Sequence, residues 1–392
     1  MNNKVPILKP SQDIARELAQ CRLLYVVGQL GRGGLERQLY YLLENLDYAR
    51  YQPALIAWNF NPREKYYRDI QALKVPVYGF PAGWSPISKL RAFRQLARRL
   101  SPELIHSYGF HTNFAAYYAA RGTRALAIGS LRGDFARARS EGGVIRGVLN
   151  TWWPSTLISN SFTSAEAVYR YPGVFVPSQI SVVHNGLDLN RFNCSNDPPG
   201  MKNYVAAVGS LLPVKRWDRL LRVAENVKKT GAAEVPLRIA GDGPLRSALE
   251  ELTRSLGIAN VVEFLGATDD IPKFLSGAKF LVHTSESEGC PNVVMEAMAC
   301  GLPVVAMEAG DIPYLVDHGR TGFVVRQDDE VALADRVSQL FMDELLCRRM
   351  GLAARAKAER EFSLERLVSD TLTAYKAAGW KDATVGTGCL ND

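Results

Sequence analysis

Short apolar runs rich in β-branched residues alternate with longer amphipathic segments along most of this 392-residue chain. The alternation predicts repeated strand–helix–strand units, in which parallel strands are covered by helices on both faces. The runs fall into two series, and the first predicts strands at Leu23–Val27, Ala54–Ala57, Val75–Tyr78, Leu104–Ser107, Leu126–Gly129, Leu157–Asn160 and Ile180–His184. The second series predicts strands at Tyr204–Gly209, Leu237–Ala240, Val261–Leu265, Phe280–His283, Val304–Ala306 and Phe323–Val325.

Two series of this kind predict two doubly wound domains, because the chain is longer than one hydrophobic core ordinarily supports. The segment Phe192–Lys202 contains Pro198-Pro199-Gly200 and polar neighbours, which are typical of an interdomain linker. We therefore expect a first domain at residues 1–192 and a second at residues 203–363. Further helices are predicted at Glu330–Phe341, Glu344–Glu361 and Leu364–Ala378.

The composition is that of an ordinary soluble protein, with 47% hydrophobic and 22% charged residues. No apolar run reaches the length of about 18 residues that a membrane-spanning helix needs. Residues 1–20 lack the apolar core of a signal peptide, so we expect a cytoplasmic protein. The six cysteines are scattered without C-x-x-C spacing, which predicts reduced thiols and no zinc site.

The formal net charge of +7 predicts some attraction to polyanions. Part of this charge lies on a predicted amphipathic helix, whose apolar positions are Leu90, Phe93, Leu96, Ala97 and Leu100 and whose basic positions are Lys89, Arg91, Arg94, Arg98 and Arg99. A solvated surface helix is the plainer interpretation, and peripheral contact with an anionic membrane at its inner face is the alternative. The chain shows no basic and aromatic platform of the kind that binds single strands, so nucleic acid is not an expected partner.

The stretch Ser287–Ala306 sets two glutamates, Glu288 and Glu296, on either side of a predicted strand-to-helix turn. Pro291 favours the first turn of the helix and Gly301 its end, which puts Glu288 in the loop and Glu296 on the second turn. Carboxylates there can accept hydrogen bonds from vicinal hydroxyls, and amides at the helix start suit polyol oxygens or an anion. A structural helix start, in which a glutamate complements the helix dipole, is equally compatible with these residues.

A second candidate site follows the strand at Tyr204–Gly209, where Lys215 and Arg216 immediately precede a predicted helix. Cations are electrostatically unfavourable at a helix start, so this placement favours a bound anion such as a diphosphate. A solvated pair of basic residues is the structural alternative. We expect Lys215 to be the principal anion-binding side chain.

The string SEGCPNVVMEAMACGLPVVA, with seven residues between its glutamates and Gly-x-Pro after the first, resembles glycosyltransferase family 4. The resemblance covers nearly the whole chain. It implies the GT-B fold, an α/β architecture of two Rossmann-like doubly wound domains facing one cleft. It also implies that the final segment, residues 364–392, begins with a helix that crosses back to the first domain.

The activity that the resemblance implies is that of a retaining, hexosyltransferase-type enzyme. It would move a sugar from a nucleoside-diphosphate sugar, with a UDP-sugar favoured, to a saccharide or lipid-linked hydroxyl acceptor. Polysaccharide, lipopolysaccharide or glycolipid synthesis would be its setting. Apart from this co-substrate no cofactor is expected, and the lack of any Asp-x-Asp sequence predicts metal independence.

The resemblance also implies roles for residues of the second domain. Lys215 and Arg216 would stabilise the departing diphosphate, and Glu296 would hold the ribose hydroxyls. Glu288 would fix the donor sugar together with the helix-start group Gly289, Cys290, Pro291, Asn292 and Val293. Leu265 lies where relatives contact the nucleotide base. Relatives often carry an arginine where this chain has Ser210, and Arg216 is expected to substitute for it.

In the first domain, Gly33 and Gly34 follow the first predicted strand and leave amides open to a phosphate at a helix start. Their spacing is not that of the G-x-G-x-x-G fingerprint. The resemblance places a similar Gly-Gly-x-Glu stretch beside the donor phosphates and the acceptor. A tight strand-to-helix turn is the structural alternative.

Relatives frequently show His-x-His after the strand at Leu104–Ser107, with one histidine close to the transferred sugar. The resemblance therefore makes His111 and His106 catalytic candidates, although Tyr108 stands in the second histidine's place. Arg132 and Tyr108 are expected on the acceptor side. A satisfied structural histidine is the alternative.

Two other functions remain compatible with these residues. One is a nucleotide-sugar epimerase of similar fold, which would act without an acceptor. The other is a protein that binds nucleotide sugars without catalysis, an alternative suggested by Ser210 and Tyr108.

Overall fold

A computed structural model describes residues 21–171, 175–193, 203–229, 235–268 and 270–382. These residues form two compact units, one running to Gly186 and resuming at Leu364, the other comprising Leu187–Ser363. Most of the predicted linker, Phe192–Lys202, lies outside the described residues. Phe192 itself is buried in the hydrophobic core of the second unit.

Seven described strands form the parallel sheet of the first unit, in the order β3-β2-β1-β4-β5-β6-β7. They are β1 (Leu23–Val27), β2 (Pro53–Ala57), β3 (Val77–Gly79), β4 (Leu104–Ser107), β5 (Leu126–Leu131), β6 (Thr156–Ser159) and β7 (Gln179–Val182). The strand order reverses between β1 and β4, which pair in register with Leu23 opposite Leu104. Parallel sheets bind ligands beyond the carboxyl ends of the strands at such a reversal.

Two clusters of buried apolar residues, one on each face of this sheet, join the strands to the helices that cover them. The helices of this unit are α1 (Gly34–Glu44), α2 (Tyr48–Tyr51), α3 (Lys65–Ala72), α4 (Pro86–Leu100), α5 (Asn113–Ala120), α6 (Phe135–Glu141), α7 (Val144–Trp152) and α8 (Phe162–Tyr169). A last helix of the same unit comes from the end of the chain and is numbered α16 (Leu364–Ala377).

Helix α4 is the basic amphipathic helix of the sequence analysis. Its apolar residues Phe93, Leu96 and Leu100 are buried in the core of the first unit. Lys89 is buried as well, and its Nζ donates hydrogen bonds to Trp58 O at 2.8 Å and Asn59 Oδ1 at 2.9 Å. The helix therefore packs with its apolar face inward, as the surface-helix interpretation requires.

The second unit contains a parallel sheet of six described strands, in the order β10-β9-β8-β11-β12-β13. They are β8 (Tyr204–Val208), β9 (Leu237–Ala240), β10 (Val262–Gly266), β11 (Ala278–His283), β12 (Val304–Met307) and β13 (Gly322–Val325). The strand order reverses between β8 and β11. The loops that follow these two strands hold the candidate residues Lys215 and Glu288.

The helices of the second unit are α9 (Trp217–Lys229), α10 (Arg246–Ser255), α11 (Ile271–Ser276), α12 (Asn292–Ala299), α13 (Ile312–Leu315), α14 (Glu330–Met342) and α15 (Glu344–Glu361). Helix α12 lies in the core through Val294, Ala297 and Met298. No helix in the described ranges combines the length and hydrophobicity needed to cross a bilayer.

Candidate functional site

The loops after β8 and β11 are tied together by two hydrogen bonds. Thr284 Oγ1 donates to Lys215 O at 3.1 Å, and Glu286 N donates to Val214 O at 2.9 Å. A short 3₁₀ helix at Pro213–Lys215 ends the first of these loops just before α9. Two loops distant in the sequence are thus fixed against each other at the strand-order reversal, where a ligand site is expected.

The central feature of the site is an ion pair between these loops. Lys215 Nζ lies 2.5 Å from Glu288 Oε1, and the two side chains are 23% and 13% exposed. His283 Nε2 lies 3.2 Å from the same carboxylate oxygen. Burial raises the pKa of Glu288, but His283 and Lys215 outweigh it and lower the pKa from 4.5 to about 2. Glu288 is therefore held as a carboxylate at neutral pH.

Glu296 lies on the second turn of α12, as predicted, and is 3% exposed. Pro291 is the cap residue of this helix and supplies no side-chain cap. The first amides of α12 therefore follow directly on the loop that carries Glu288. Within the predicted helix-start group, Cys290 turns its thiol into the core, where Sγ lies 3.5 Å from Met295 Sδ.

The loop that carries Glu288 rests on the backbone at Gly310. A Cβ atom at Gly310 would lie 2.3 Å from Glu288 O and 2.6 Å from Gly289 O. The φ angle of Gly310 is +51°, in the left-handed region that favours glycine. Asp311 N also donates to Gly289 O at 2.9 Å. The position of Glu288 thus depends on close backbone contact with the loop after β12.

Arg216 does not approach Glu288 in the way that Lys215 does. Its backbone is left-handed, with φ +50°, and its Nε lies 3.1 Å from Asp218 Oδ1. The hydrogen bond with Asp218 raises the pKa of the Arg216 guanidinium. Of the two predicted cations, the structure brings Lys215 to the glutamate and pairs Arg216 with its own neighbour.

Arg219 is a residue of this site that the sequence analysis missed. It is fully buried on α9, and its Nη1 donates to Thr284 O at 3.3 Å and to Gln327 Oε1 at 2.7 Å. Its Nη2 donates to Asp328. Gln327 Nε2 donates in turn to Ser285 O at 3.1 Å and Glu308 O at 2.7 Å. This pair joins the loops after β11, β12 and β13 to the helix that follows Lys215.

One signal in the sequence could have indicated Arg219. It lies four residues before Val223, which places it on the apolar face of α9. A charged side chain on a buried helix face requires partners, so it points to a polar network.

Leu265 belongs to β10, the edge strand of the second sheet, and is 43% exposed. Arg246 Nη2 donates to the neighbouring Phe264 O at 3.1 Å. Leu265 therefore offers an apolar surface near the carboxyl end of the sheet, which is compatible with the predicted contact to a base.

At the start of α1, the Glu36 carboxylate lies against Gly33, one of the two glycines that are predicted to approach a phosphate. Gly33 is the cap residue and Gly34 the first helical residue. A Cβ at Gly33 would lie 2.2 Å from Glu36 Oε2, so the Glu36 side chain turns back over the helix start. Burial raises the pKa of Glu36. The amides at Gly33 and Gly34 are consequently less open than the sequence analysis expects.

His106 is fully buried, and both ring nitrogens have protein partners. Nδ1 lies 2.7 Å from Tyr375 Oη, and Nε2 lies 2.9 Å from Ser130 Oγ. Burial lowers its pKa well below the usual 6.5. The prediction that His106 acts directly on a substrate does not fit this placement, because the ring has neither an exposed atom nor an uncommitted nitrogen.

Tyr108 is also fully buried, so it presents no atom to an acceptor. Arg132 covers it, with the guanidinium carbon 3.9 Å from the ring centroid. Arg132 is half-buried, and its Nη1 lies 3.5 Å from Asn185 Oδ1. His111 is the exposed histidine of this edge, with a 54% exposed side chain and Nε2 3.6 Å from Glu141 Oε2. His111 and Arg132 remain candidates, whereas Tyr108 acts through Arg132 at most.

Within the described ranges, no group of three or more His, Cys, Asp or Glu side chains is arranged to hold a metal ion.

Comparison with family models gives two adjoining matches. The model described as "Glycosyl transferases group 1" matches residues 191–357, and the model "Glycosyltransferase Family 4" matches residues 32–191. The two matches together span both units.

Curated relatives match parts of the chain. N-acetyl-alpha-D-glucosaminyl L-malate synthase of Bacillus anthracis is 33% identical over 169 residues, which cover 42% of this chain and 44% of the relative. D-inositol 3-phosphate glycosyltransferase of Salinispora tropica is 32% identical over 249 residues, which cover 57% of this chain and 51% of the relative. The chain thus spans about half the length of the curated relatives it matches.

Solved structures match nearly the whole chain. HepE of Anabaena in complex with UDP has a TM-score of 0.78 at 22% identity, covering 91% of this chain and 100% of that chain. The apo form of the lipopolysaccharide outer core galactosyltransferase WaaB has a TM-score of 0.75 at 16% identity, covering 91% and 99%. These likenesses confirm the predicted fold class, two Rossmann-like α/β domains of the GT-B type.

Proposed function

The chain belongs to the group 1 and family 4 glycosyltransferases, and from this premise we propose that it transfers a sugar from a nucleoside-diphosphate sugar to a hydroxyl acceptor. The observation that carries the proposal is the 2.5 Å pairing of Lys215 with Glu288 beside α12 at the strand-order reversal. A cation, a carboxylate and a helix start in one place can receive a diphosphate and sugar hydroxyls together.

In the proposed reaction, the sugar–phosphate bond breaks and negative charge develops on the leaving diphosphate. Lys215 stabilises that charge with its ammonium group, which is the largest electrostatic contribution required of the protein. Glu296 accepts hydrogen bonds from the ribose hydroxyls, and Glu288 accepts them from the donor sugar. The acceptor oxygen forms its bond with retention of the anomeric configuration, and its proton passes to the leaving phosphate.

We propose that this reaction is independent of metal ions, because Lys215 and the amides at the start of α12 supply positive charge to the diphosphate. The lack of an Asp-x-Asp sequence supports this assignment. Arg216 contributes once a diphosphate competes with Asp218 for its guanidinium.

UDP-sugars are the favoured donors in this proposal. HepE has been solved with UDP and with UDP-glucose, which supports that choice. A mycobacterial relative, 30% identical over 218 residues, is named as GDP-mannose-dependent. Guanosine donors therefore belong in every donor panel.

A saccharide or lipid-linked acceptor is proposed, in polysaccharide, lipopolysaccharide or glycolipid synthesis at the inner membrane face. The name of WaaB supports a role of this kind. The exposed arginines of α4, Arg91, Arg98 and Arg99, can contact anionic lipid, although its apolar face is unavailable for insertion. Flotation with anionic liposomes should then show binding that salt abolishes, and failure to bind at low salt would contradict membrane contact.

A donor panel tests the activity. Purified protein is mixed with UDP-, GDP- and ADP-sugars, and ligand-induced stabilisation and release of nucleoside diphosphate are measured. Lys215→Ala and Glu296→Ala should nearly abolish release, whereas Lys229→Ala, which removes a 66% exposed lysine of α9, should not. Wild-type rates in both site variants would reject the assignment. An isomerised sugar formed without acceptor would indicate an epimerase, and tight binding without turnover on a broad acceptor panel would indicate a binding protein.

A further inference from the structure

His283, the last residue of β11, has no role in the proposed mechanism although it adjoins the central ion pair. It is 5% exposed, and its Nε2 lies 3.2 Å from Glu288 Oε1. Despite that distance, Nε2 makes no aligned hydrogen bond with any described residue. A buried polar atom without a hydrogen bond is unfavourable, so its persistence beside a carboxylate requires an explanation.

We infer that His283 is a positioning residue that holds the Glu288 carboxylate when Lys215 turns to the donor diphosphate. This inference rests on the proposed function. It assigns His283 a part in selecting the sugar of the donor, through the carboxylate that contacts it.

The argument begins with competition for Lys215. Its ammonium now lies against Glu288 Oε1, on a flexible stem that is 23% exposed. A diphosphate carries more negative charge than one carboxylate, so a bound donor draws the ammonium toward itself. Glu288, only 13% exposed, would then be a buried charge with a weakened partner. Breaking a buried pair is costly unless another donor replaces the cation.

His283 is placed to be that replacement. Its Nε2 approaches the same oxygen that Lys215 holds, from the strand immediately before the Glu288 loop. A small rotation of the carboxylate would align Nε2–H with Oε1 and form the missing hydrogen bond. Because the ring is buried at the end of a strand, it stays fixed while the lysine moves.

Binding of the sugar and binding of the nucleotide should therefore depend on different side chains. Glu288 contacts the sugar in the proposed function, whereas Lys215 and Glu296 contact the diphosphate and the ribose of the nucleotide. Loss of His283 should therefore weaken binding of the nucleotide sugar and leave binding of the nucleoside diphosphate nearly unchanged. A merely structural histidine would affect both ligands equally.

The test compares His283→Phe, which keeps a ring without a donor, with His283→Gln, which keeps a donor near Nε2. Calorimetry gives the Kd of UDP-glucose and UDP, or of GDP-mannose and GDP if the wild type selects guanosine. We expect His283→Phe to weaken binding of the nucleotide sugar about tenfold or more. Binding of the nucleoside diphosphate should weaken less than about twofold. His283→Gln should bind the nucleotide sugar with most of the wild-type affinity.

A double mutant shows whether His283 acts through Glu288. Glu288→Gln alone should reproduce the selective loss, and adding His283→Phe should cause no further loss. Additive losses, an equal loss for both ligands, or no loss in His283→Phe would each overturn the inference while leaving the proposed function intact. A wild type that bound neither ligand would overturn the proposed function, and this inference with it.

Discussion

Lys215 Nζ and Glu288 Oε1 lie 2.5 Å apart although 73 residues separate them in the chain. The pair joins the loops after two neighbouring strands, and its surroundings are largely closed to water. An ion pair in such a place stabilises the fold. In the proposed function it also keeps Lys215 beside the position of the donor diphosphate. Stability and ligand binding should therefore respond to the same substitutions.

Acid should remove the stabilisation that Glu288 provides. Its pKa in the folded protein is about 2, below the ordinary value of 4.5, so the contribution is fully present above pH 4.5 and is lost as pH falls toward 2. That difference corresponds to roughly 3 kcal/mol. Wild type should exceed Glu288→Gln in free energy of unfolding at pH 7, and the gap should narrow steadily as pH falls from 4.5 toward 2. Urea unfolding across this range measures it, and a constant gap would contradict the assignment.

The Arg219 network should contribute more to stability than a surface ion pair on the same helix. Arg219→Met leaves Thr284 O and Gln327 Oε1 without their donor, which should cost about 1–3 kcal/mol for each acceptor. Gln327→Ala, a milder change, should cost about 1–3 kcal/mol and lower donor affinity while the fold persists.

Arg222→Ala is the matched control for this network. Arg222 lies one turn later on α9 and pairs with Glu330, but its side chain is 39% exposed. Exposed pairs contribute about 0–1 kcal/mol. Urea unfolding of the three variants ranks them, and an Arg219→Met protein no less stable than Arg222→Ala would show that the network does not hold the loops.

The strands, the helices after β13 and the positions of Glu288 and Glu296 can all be predicted from local patterns. Apolar periodicity fixes each strand, and Pro291 and Gly301 fix the ends of α12. The Arg219–Gln327 contact cannot be obtained in this way, because it joins residues 108 apart in sequence. The partners of His106 are no more local, since Tyr375 follows it by 269 residues.

Arg216 shows a different limit of sequence reasoning. Its type and position suggest an anion-binding cation, but in the structure its backbone is left-handed and its side chain pairs with Asp218. The sequence specifies neither this φ angle nor which of several possible partners an arginine side chain takes. The domain boundaries and the ligand roles of the site residues stay predictions until ligand-bound measurements test them.

His106 should make the first unit sensitive to mild acid. Burial holds its pKa well below 6.5. Below pH 6.5 the unfolded chain is therefore protonated at His106 while the folded protein is not. Stability should fall as pH drops below 6.5, by up to about 1.4 kcal/mol per pH unit from this group. His106→Gln should be less stable at pH 7 but should lose this pH dependence.

His111→Gln is the control for that experiment. Its side chain is 54% exposed, so this variant shows what the loss of a surface histidine does to stability in the same unit. Circular dichroism during urea titration at pH 7, 6 and 5 suffices for both variants. An equal slope in wild type and His106→Gln would show that the buried ring takes up protons in the folded state.

Gly310→Ala should damage donor binding without touching any group that contacts the donor. The new Cβ would lie 2.3 Å from Glu288 O, so the loop must shift and move the carboxylate away from Lys215. Gly319→Ala separates this clash from backbone strain, because Gly319 also has a left-handed φ, +78°, but no atom lies near its missing Cβ. Both variants should lose about 1 kcal/mol of stability from strain. Calorimetry with the preferred nucleotide sugar should show a further loss of affinity, about tenfold, in Gly310→Ala alone. Equal affinities in the two variants would contradict the prediction that close contact with Gly310 holds Glu288 where the donor sugar needs it.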